Sequence, residues 1–273
     1  MTLVLGLDVG STYCKGAVVG PEGLVAVLKE PTGWDLTGVG NLVIDRLKSL
    51  TNLMVLPVAA TGFGRGAVAQ ALIRPTEITC HARGADYLLP GIRTIIDLGG
   101  QDTKVMIVES GKVKSFQMND KCAAGTGRFL ELALNRLAID LNSLPDNWLP
   151  STVSLTSPCA VFAETEILGL LSKGAPRLEI LKAVVESLAN RAASLAGRLE
   201  PTAPAVLTGG LAETPGLTVA LTRAFGVPVN NLKNGSYAGA IGAALLLGRF
   251  NQKTTSHEKT PAERGPENII WRR

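Results

Sequence analysis

The sequence predicts an α/β fold built twice over, and three observations carry that expectation. Asp8-Val-Gly-Ser-Thr-Tyr-Cys-Lys15 and Asp97-Leu-Gly-Gly-Gln-Asp-Thr-Lys104 repeat Asp, Gly and Lys in register, at an offset of 89 residues (97 − 8). Each copy joins two strand-like runs: Leu3-Val4-Leu5 and Ala17-Val18-Val19 in the first, Thr94-Ile95-Ile96 and Val105-Met106-Ile107-Val108 in the second. Elsewhere apolar strand-like runs alternate with helical periodicity, the pattern of α/β domains. A length of 273 residues suits about two such units.

The elements follow in order. A second turn, Gly20-Pro21-Glu22-Gly23, closes the first hairpin. A helix is expected over 40–49 and a strand over 54–61, after which Gly62-Phe-Gly-Arg-Gly66 opens another helix. The second copy begins near Arg93, and its second turn is Glu109-Ser110-Gly111-Lys112. A helix over 124–139, a Pro-rich loop over 144–150 and a helix over 159–172 come next. The helix expected over 178–199 buries Leu181, Val184, Val185, Leu188, Ala192 and Leu195 at helical spacing. The strand 205–208 meets Gly209-Gly210 and a further helix. The helix over 237–247 carries Gly239, Gly242 and Ala243, small enough for close backbone packing. These elements divide into a first domain of residues 1–91 plus 237–250, a second of 92–236, and a polar tail of 251–273.

Bulk properties exclude several classes. Net charge is +4 with both signs scattered and aromatics at 4%, so a nucleic-acid face is not expected. No run reaches a membrane-spanning length, and Asp8 interrupts the N-terminal apolar run too early for a secretory signal, which points to the cytoplasm. Only His81 and His257 are present, too few for histidine relays or His-rich zinc sites. Cys14, Cys80, Cys122 and Cys159 form no Cys-x-x-Cys pair, leaving burial or metal ligation.

The duplicated tips suit phosphate. Gly10, Gly99 and Gly100 let backbone amides approach anionic oxygens. Ser11, Thr12 and Gln101 add polar groups, and Lys15 and Lys104 add charge. Asp8, Asp97 and Asp102 are candidates for hydrated Mg2+ or the attacking water. One such turn alone would read as an ordinary hairpin; two in register, with Thr208-Gly-Gly210 after a later strand, favour a clamp. Walker and Rossmann glycine patterns are absent. These motifs resemble the actin, hexokinase and heat-shock-chaperone ATPase superfamily over about residues 3–248. The resemblance implies two ribonuclease-H-like domains, ATP or ADP in the cleft between them, and Gly209-Gly210 beside the adenosine.

A narrower resemblance lies in Asn119-Asp-Lys-Cys122-Ala-Ala-Gly-Thr-Gly-Arg-Phe-Leu-Glu131, Ser157-Pro-Cys159-Ala-Val-Phe-Ala-Glu-Thr-Glu166, Glu77-Ile-Thr-Cys80-His-Ala-Arg-Gly-Ala85 and Ala60-Thr-Gly-Phe-Gly-Arg65. These are similar to motifs of the 2-hydroxyacyl-CoA dehydratase activators and benzoyl-CoA reductase ATPase subunits. The family resemblance implies a homodimer bridged by one 4Fe–4S cluster on Cys122 and Cys159 of each chain. It further implies an ATP-driven one-electron reductase, fed by ferredoxin or flavodoxin. The acceptor would be a 2-hydroxyacyl-CoA dehydratase, a benzoyl-CoA-type reductase or a double-cubane cluster protein. Independently, Ser157 is expected to cap a helix with Pro158 first and Cys159 in the first turn, where amides favour thiolate. Cys122 likewise precedes a helical stretch, and Lys173-Gly174 ends the second helix.

Simpler readings stand beside these. Both cysteines can be buried apolar residues, and a rival cluster could recruit Cys14 and Cys80. Glu164 and Glu166 read as solvated or nucleotide-facing, Arg65 as a phosphate contact or a surface ion pair. Trp148 pins its loop, and Gly125 and Gly127 line the cleft or pack near the cluster. A cluster-free small-molecule kinase and a chaperone-like ATPase are the alternative functions.

Overall fold

Two five-stranded sheets share one strand order. The computed structural model describes residues 3–141, 148–157 and 159–257, with side chains through residue 248. In the first sheet β1 (Val4–Val9), β2 (Tyr13–Gly20) and β3 (Gly23–Pro31) form an antiparallel meander. Helix α1 (Leu36–Thr51) then crosses over to β4 (Val58–Thr61), parallel to β1, with β5 (Ala71–Ile73) at the edge. The order is β3-β2-β1-β4-β5. The second sheet repeats it with β6 (Thr94–Leu98), β7 (Thr103–Glu109), β8 (Lys112–Asn119), β9 (Ala205–Thr208) and β10 (Val229–Asn231). Its crossover is longer, through α3 (Gly127–Leu137), α4 (Ala160–Ser172) and α5 (Arg177–Ala196), with α6 (Leu217–Phe225) between β9 and β10.

Burial explains the local sequence. The six residues of β1 are all buried, so the strand reads as an almost unbroken apolar run, broken only by Gly6 and Asp8. Asp35 caps α1 by accepting from Gly38 N at 2.8 Å. That helix lays Val39, Val43, Ile44 and Leu47 on the first sheet. In the second half, α5 buries Leu181, Val184, Val185, Leu188 and Ala192 in the core, as its periodicity predicts, while Leu195 is only half-buried. Trp148 is buried in the same cluster.

Between the sheets, α2 (Glu77–Leu88) crosses α7 (Ala238–His257). The contact is backbone to backbone: a Cβ on Gly84 would stand 1.9 Å from Ala238 O, and one on Gly242 1.8 Å from Cys80 O. Only glycine permits that approach. Thus α7 joins Val4, Ala17, Val19 and Ala59 of the first sheet. Meanwhile Ala82 and Ala85 of α2 pack with Ile95, Met106 and Val206 of the second.

Some expectations change. The strand over 54–61 contracts to β4, with Met54 and Val55 exposed in the preceding loop. Gly62-Phe-Gly-Arg-Gly66 leads only to a single 3-10 turn, Arg65–Ala67, because the real helix starts at Glu77 behind its Thr76 cap. The expected helix over 124–139 splits into a turn at Ala123–Gly125 and α3. The backbone of α7 continues helically through the first seven positions of the expected tail, to His257. Residues 142–147, which take most of the expected Pro-rich loop, Pro158, and residues 258–273 lie outside the described residues.

Candidate nucleotide site and cysteine segments

Both hairpin tips are built alike. In register, Asp8 pairs with Lys15 and Asp97 with Lys104. Gly10 N donates to Tyr13 O at 3.1 Å and Gly99 N to Asp102 O at 2.9 Å, closing equivalent turns. Carbonyls behind the first tip are taken up by Thr32, whose Oγ1 donates to Gly10 O (2.7 Å) and N to Thr12 O (2.9 Å). Behind the second, Gly127 N and Arg128 N donate to Gly99 O (2.9 Å) and Gly100 O (3.0 Å). A third pair completes the symmetry. Gly62 after β4 and Gly209 after β9 have φ of +85° and +90°, and a Cβ on either would lie 2.4 Å from Oδ1 of Asp8 or Asp97.

Between the tips lies a cleft of about 380 Å3. It is lined by Asp8, Gly10, Ser11, Thr12, Lys15, Asp97, Gly99, Gly100, Gln101, Asp102, Gly209 and Gly210, so one space collects nearly every residue singled out for nucleotide. Lys104 is the exception. Its Nζ is buried beneath the floor, 2.8 Å from Asp102 Oδ1, 3.3 Å from Asp97 Oδ2 and 3.0 Å from Glu77 Oε1. Burial opposes its charge, yet Asp97, Glu77 and Asp102 together hold the ammonium well above the usual lysine range. It faces carboxylates, not the cleft.

The two equivalent aspartates differ. Asp8 is raised above the ordinary carboxylate range chiefly by burial, against the pull of Lys15, and its Oδ1 has no hydrogen-bond partner among the described residues. At Asp97 burial also favours the neutral acid, but His81, Lys104 and Lys15 outweigh it and lower the pKa. Thr208 Oγ1 donates to Asp97 Oδ1 (3.2 Å), which leaves that hydroxyl to accept from His81 Nδ1 at 3.1 Å. Sequence reasoning missed Glu77 and His81 as members of this floor. Their i, i+4 spacing would place them on one helix face, but no helix was read there. Glu77, His81 and Asp97 sit close enough together to hold a cation; the Lys104 ammonium, bonded to two of the three, already supplies that charge.

The cysteines divide into two kinds. Cys14 and Cys80 are fully buried, and burial pushes each thiol up to about 12, leaving both as inert thiols. Cys122 is exposed and Cys159 half-exposed. Cys159 is itself the N-cap of α4, so the expected Ser157 cap and first-turn cysteine are displaced by two residues. Glu166 reaches back to engage the Ser157 side chain and to accept from Thr156 N and Ser157 N, both at 2.9 Å. Burial opposes the charge of Glu166, but these donors lower its pKa. Cys122 precedes a one-turn 3-10 segment and not α3 directly. Lys173 and Gly174 end α4 as expected, with Gly174 at φ +79°.

Remaining candidates fall outside the cleft or at its edge. Glu164 pairs with Arg136, and neither it nor Glu166 lines the cleft. Arg65 does line it, its Nη1 donating to Gly62 O at 3.0 Å. Gly127 packs on the second tip outside the lining, 3.2 Å from Gly100 Cα at its Cβ position.

Two like sheets, crossed helices and a cleft lined by glycines, hydroxyl residues and carboxylates between paired hairpins define an actin/hexokinase-like ATPase. Residues 5–247 match the model of the BadF/BadG/BcrA/BcrD ATPase family, and the chain belongs to that family. The (R)-2-hydroxyglutaryl-CoA dehydratase activating ATPase of Acidaminococcus fermentans is 38% identical over 253 residues, 88% of this chain and 95% of that protein. The solved activator of the 2-hydroxyisocaproyl-CoA dehydratase from Clostridium difficile, with bound ADPNP, has 35% identity and a TM-score of 0.86. It covers 95% of this chain and 99% of its own. A ROK family glucokinase from Streptomyces griseus, 15% identical with a TM-score of 0.57, covers 90% of this chain and 99% of its own and shares the fold alone. Among the described residues no helix is long and apolar enough to cross a membrane.

Proposed function

We propose that this chain is an ATP-dependent one-electron reductase that activates an iron–sulfur partner enzyme. One arrangement carries the reading: Met118 and Asp120 line the nucleotide cleft immediately before Cys122, the most exposed of the four cysteines. Mg2+-nucleotide would rest between the tips, on Gly10, Ser11, Thr12 and Lys15 from one side and Gly99, Gly100 and Gln101 from the other. Gly209 and Gly210 lie at the adenosine end. Asp8 is prepared for a hydrated Mg2+, because its buried, unpartnered Oδ1 has a desolvation penalty that a cation would relieve. Asp97 and Asp102 orient the attacking water. Lys104 serves by holding those two carboxylates in place and makes no phosphate contact of its own.

The cysteines fit a shared 4Fe–4S cluster. One chain offers two solvent-reachable thiols where such a cluster takes four, and a two-fold homodimer supplies the other pair. Bound there, the cluster would supply a low-potential one-electron couple. Cys159 sits at the N-cap of α4, beside that helix's first-turn amides. Residues 1–91 with 237–250, which carry both α2 and α7, move against 92–236. Nucleotide drives that motion only through its different affinity for the two arrangements. Ferredoxin or flavodoxin is the donor. A 2-hydroxyacyl-CoA dehydratase, a benzoyl-CoA-type reductase or a double-cubane protein accepts, all of them in the cytoplasm.

Anaerobic purification tests this directly. The expected product is a brown dimer with about four irons, bleached by Cys122→Ala or Cys159→Ala. A monomer that stays iron-free after reconstitution contradicts the reading. A colourless protein that phosphorylates a sugar or acid would replace it with a kinase.

A further inference from the structure

The second hairpin and the Cys122 segment are stitched together by bonds that binding a nucleotide does not require. The start of α3 hangs on the tip through Gly127 N→Gly99 O and Arg128 N→Gly100 O. Thr103, the first residue of β7 and 2% exposed, donates its Oγ1 to Gly125 O at 2.6 Å. It lies opposite Asn119 in the β7–β8 register. Asn119 in turn grips Cys122 from both sides. Its Oδ1 accepts from Cys122 N at 3.1 Å and from Lys121 N at 3.3 Å, while Nδ2 donates to Cys122 O at 3.0 Å.

Among the described residues nothing equivalent leaves the first hairpin, whose tip carbonyls end on Thr32. Cys159 is held separately, through Glu166 on Thr156 and Ser157 and through Arg191 Nη2 on Ser157 O at 2.6 Å. Cys122 therefore sits at the end of a short track: tip, Thr103, the Ala123–Gly125 turn and the Asn119 clamp. Each link ends on a backbone group, and those at Thr103 and Asn119 run through side chains, so the two side chains are what pass a displacement of the tip on to Cys122. The neighbours of Asn119, Met118 and Asp120, face the cleft itself.

We propose that Thr103 and Asn119 are positioning residues that make the exposure of Cys122 follow the nucleotide state of the second hairpin. The proposal rests on the nucleotide reading of the cleft and is independent of iron. The test uses the full chain without iron, alkylated by N-ethylmaleimide with and without Mg2+ and a non-hydrolysable ATP analogue. Labelling is read at each cysteine by peptide mass spectrometry. Cys14 and Cys80, buried and with thiols near 12, serve as unreactive internal controls.

In the wild type, nucleotide should change the Cys122 rate by about fivefold or more, the lower end of ordinary site-to-site coupling. Thr103→Val should bring that ratio to unity while calorimetric nucleotide affinity is kept, and Thr103→Ser should restore it. A wild-type rate that ignores nucleotide shown by calorimetry to be bound overturns the proposal, as does a full ratio in Thr103→Val. Should the valine variant fail to fold, Asn119→Ala gives the same reading at a half-buried strand end, and a preserved ratio there overturns it equally. Absence of any binding heat would remove the nucleotide reading and this proposal together. Missing iron in the anaerobic preparation would remove only the cluster.

Discussion

The two phosphate hairpins share topology, register and an Asp–Lys pair, yet their charges have come to face opposite ways. In the first, Lys15 lines the cleft and Asp8 keeps a buried oxygen without a donor. In the second, Lys104 is sealed under three carboxylates and Asp97 is satisfied by Lys104 and Thr208 beside His81. A duplicated element has thus divided its labour. One copy keeps its Asp–Lys pair open for a ligand, and the other ties its pair into the cleft floor. A buried carboxylate oxygen with no protein donor is stabilised by what binds beside it, which marks the first copy as the side prepared for ligand.

Substitutions should separate the copies, and the largest contrast lies in the lysines. Lys104→Met leaves Asp97, Glu77 and Asp102 without their cation and should lose about 3–5 kcal/mol in urea denaturation. Lys15→Met should stay within about 1 kcal/mol of wild type. Equal losses in the two variants would break the comparison.

The aspartates should then show opposite pH behaviour, measured in metal-free buffer. Asp97 is depressed below its ordinary value of 3.8. Its contribution is present above that pH and lost as pH falls through the lower folded value. Asp8 is raised above 3.8. The folded state then holds its proton longer than the unfolded chain, and stability declines as pH rises from 3.8 through the raised value. Asp97→Asn should therefore lose stability relative to wild type as pH increases, and Asp8→Asn should gain. Parallel shifts of the same sign would refute the difference in environment.

The smallest effect belongs to Lys29, which reaches from β3 to Glu213 of the second half at 3.0 Å. Both partners are substantially exposed, so Lys29→Ala should cost less than about 1 kcal/mol. A larger loss would mean that the halves are held together at the rim and not where α2 packs on the second sheet.

Much of this was legible in the sequence because it is local. The repeated Asp-x-Gly tips, the α5 stripe and the glycines of α7 each announce themselves within about a dozen residues. The division of labour was not legible. Register alone equates Lys15 with Lys104; what separates them is Asp102, where the first tip has Tyr13, and Glu77, delivered by α2 from outside the hairpin. His81 meets Thr208 across 127 residues of chain, a pairing that periodicity cannot reveal. Ser157 had every local mark of a cap, but its side chain is hydrogen-bonded to Glu166, nine residues further on, and is not left to cap the helix. The edge strands β5 and β10 are three residues each, too short to carry a period of their own.

Titration calorimetry of Mg2+ and a non-hydrolysable ATP analogue against wild type, Lys15→Met and Asp8→Asn addresses the account most directly. One nucleotide per wild-type chain is expected, with affinity reduced about tenfold or more in Lys15→Met at unchanged thermal stability. Asp8→Asn should bind nucleotide yet lose most of its dependence on Mg2+. Undiminished Mg2+-nucleotide binding in both variants would contradict the assignment of the first hairpin as the ligand-facing copy.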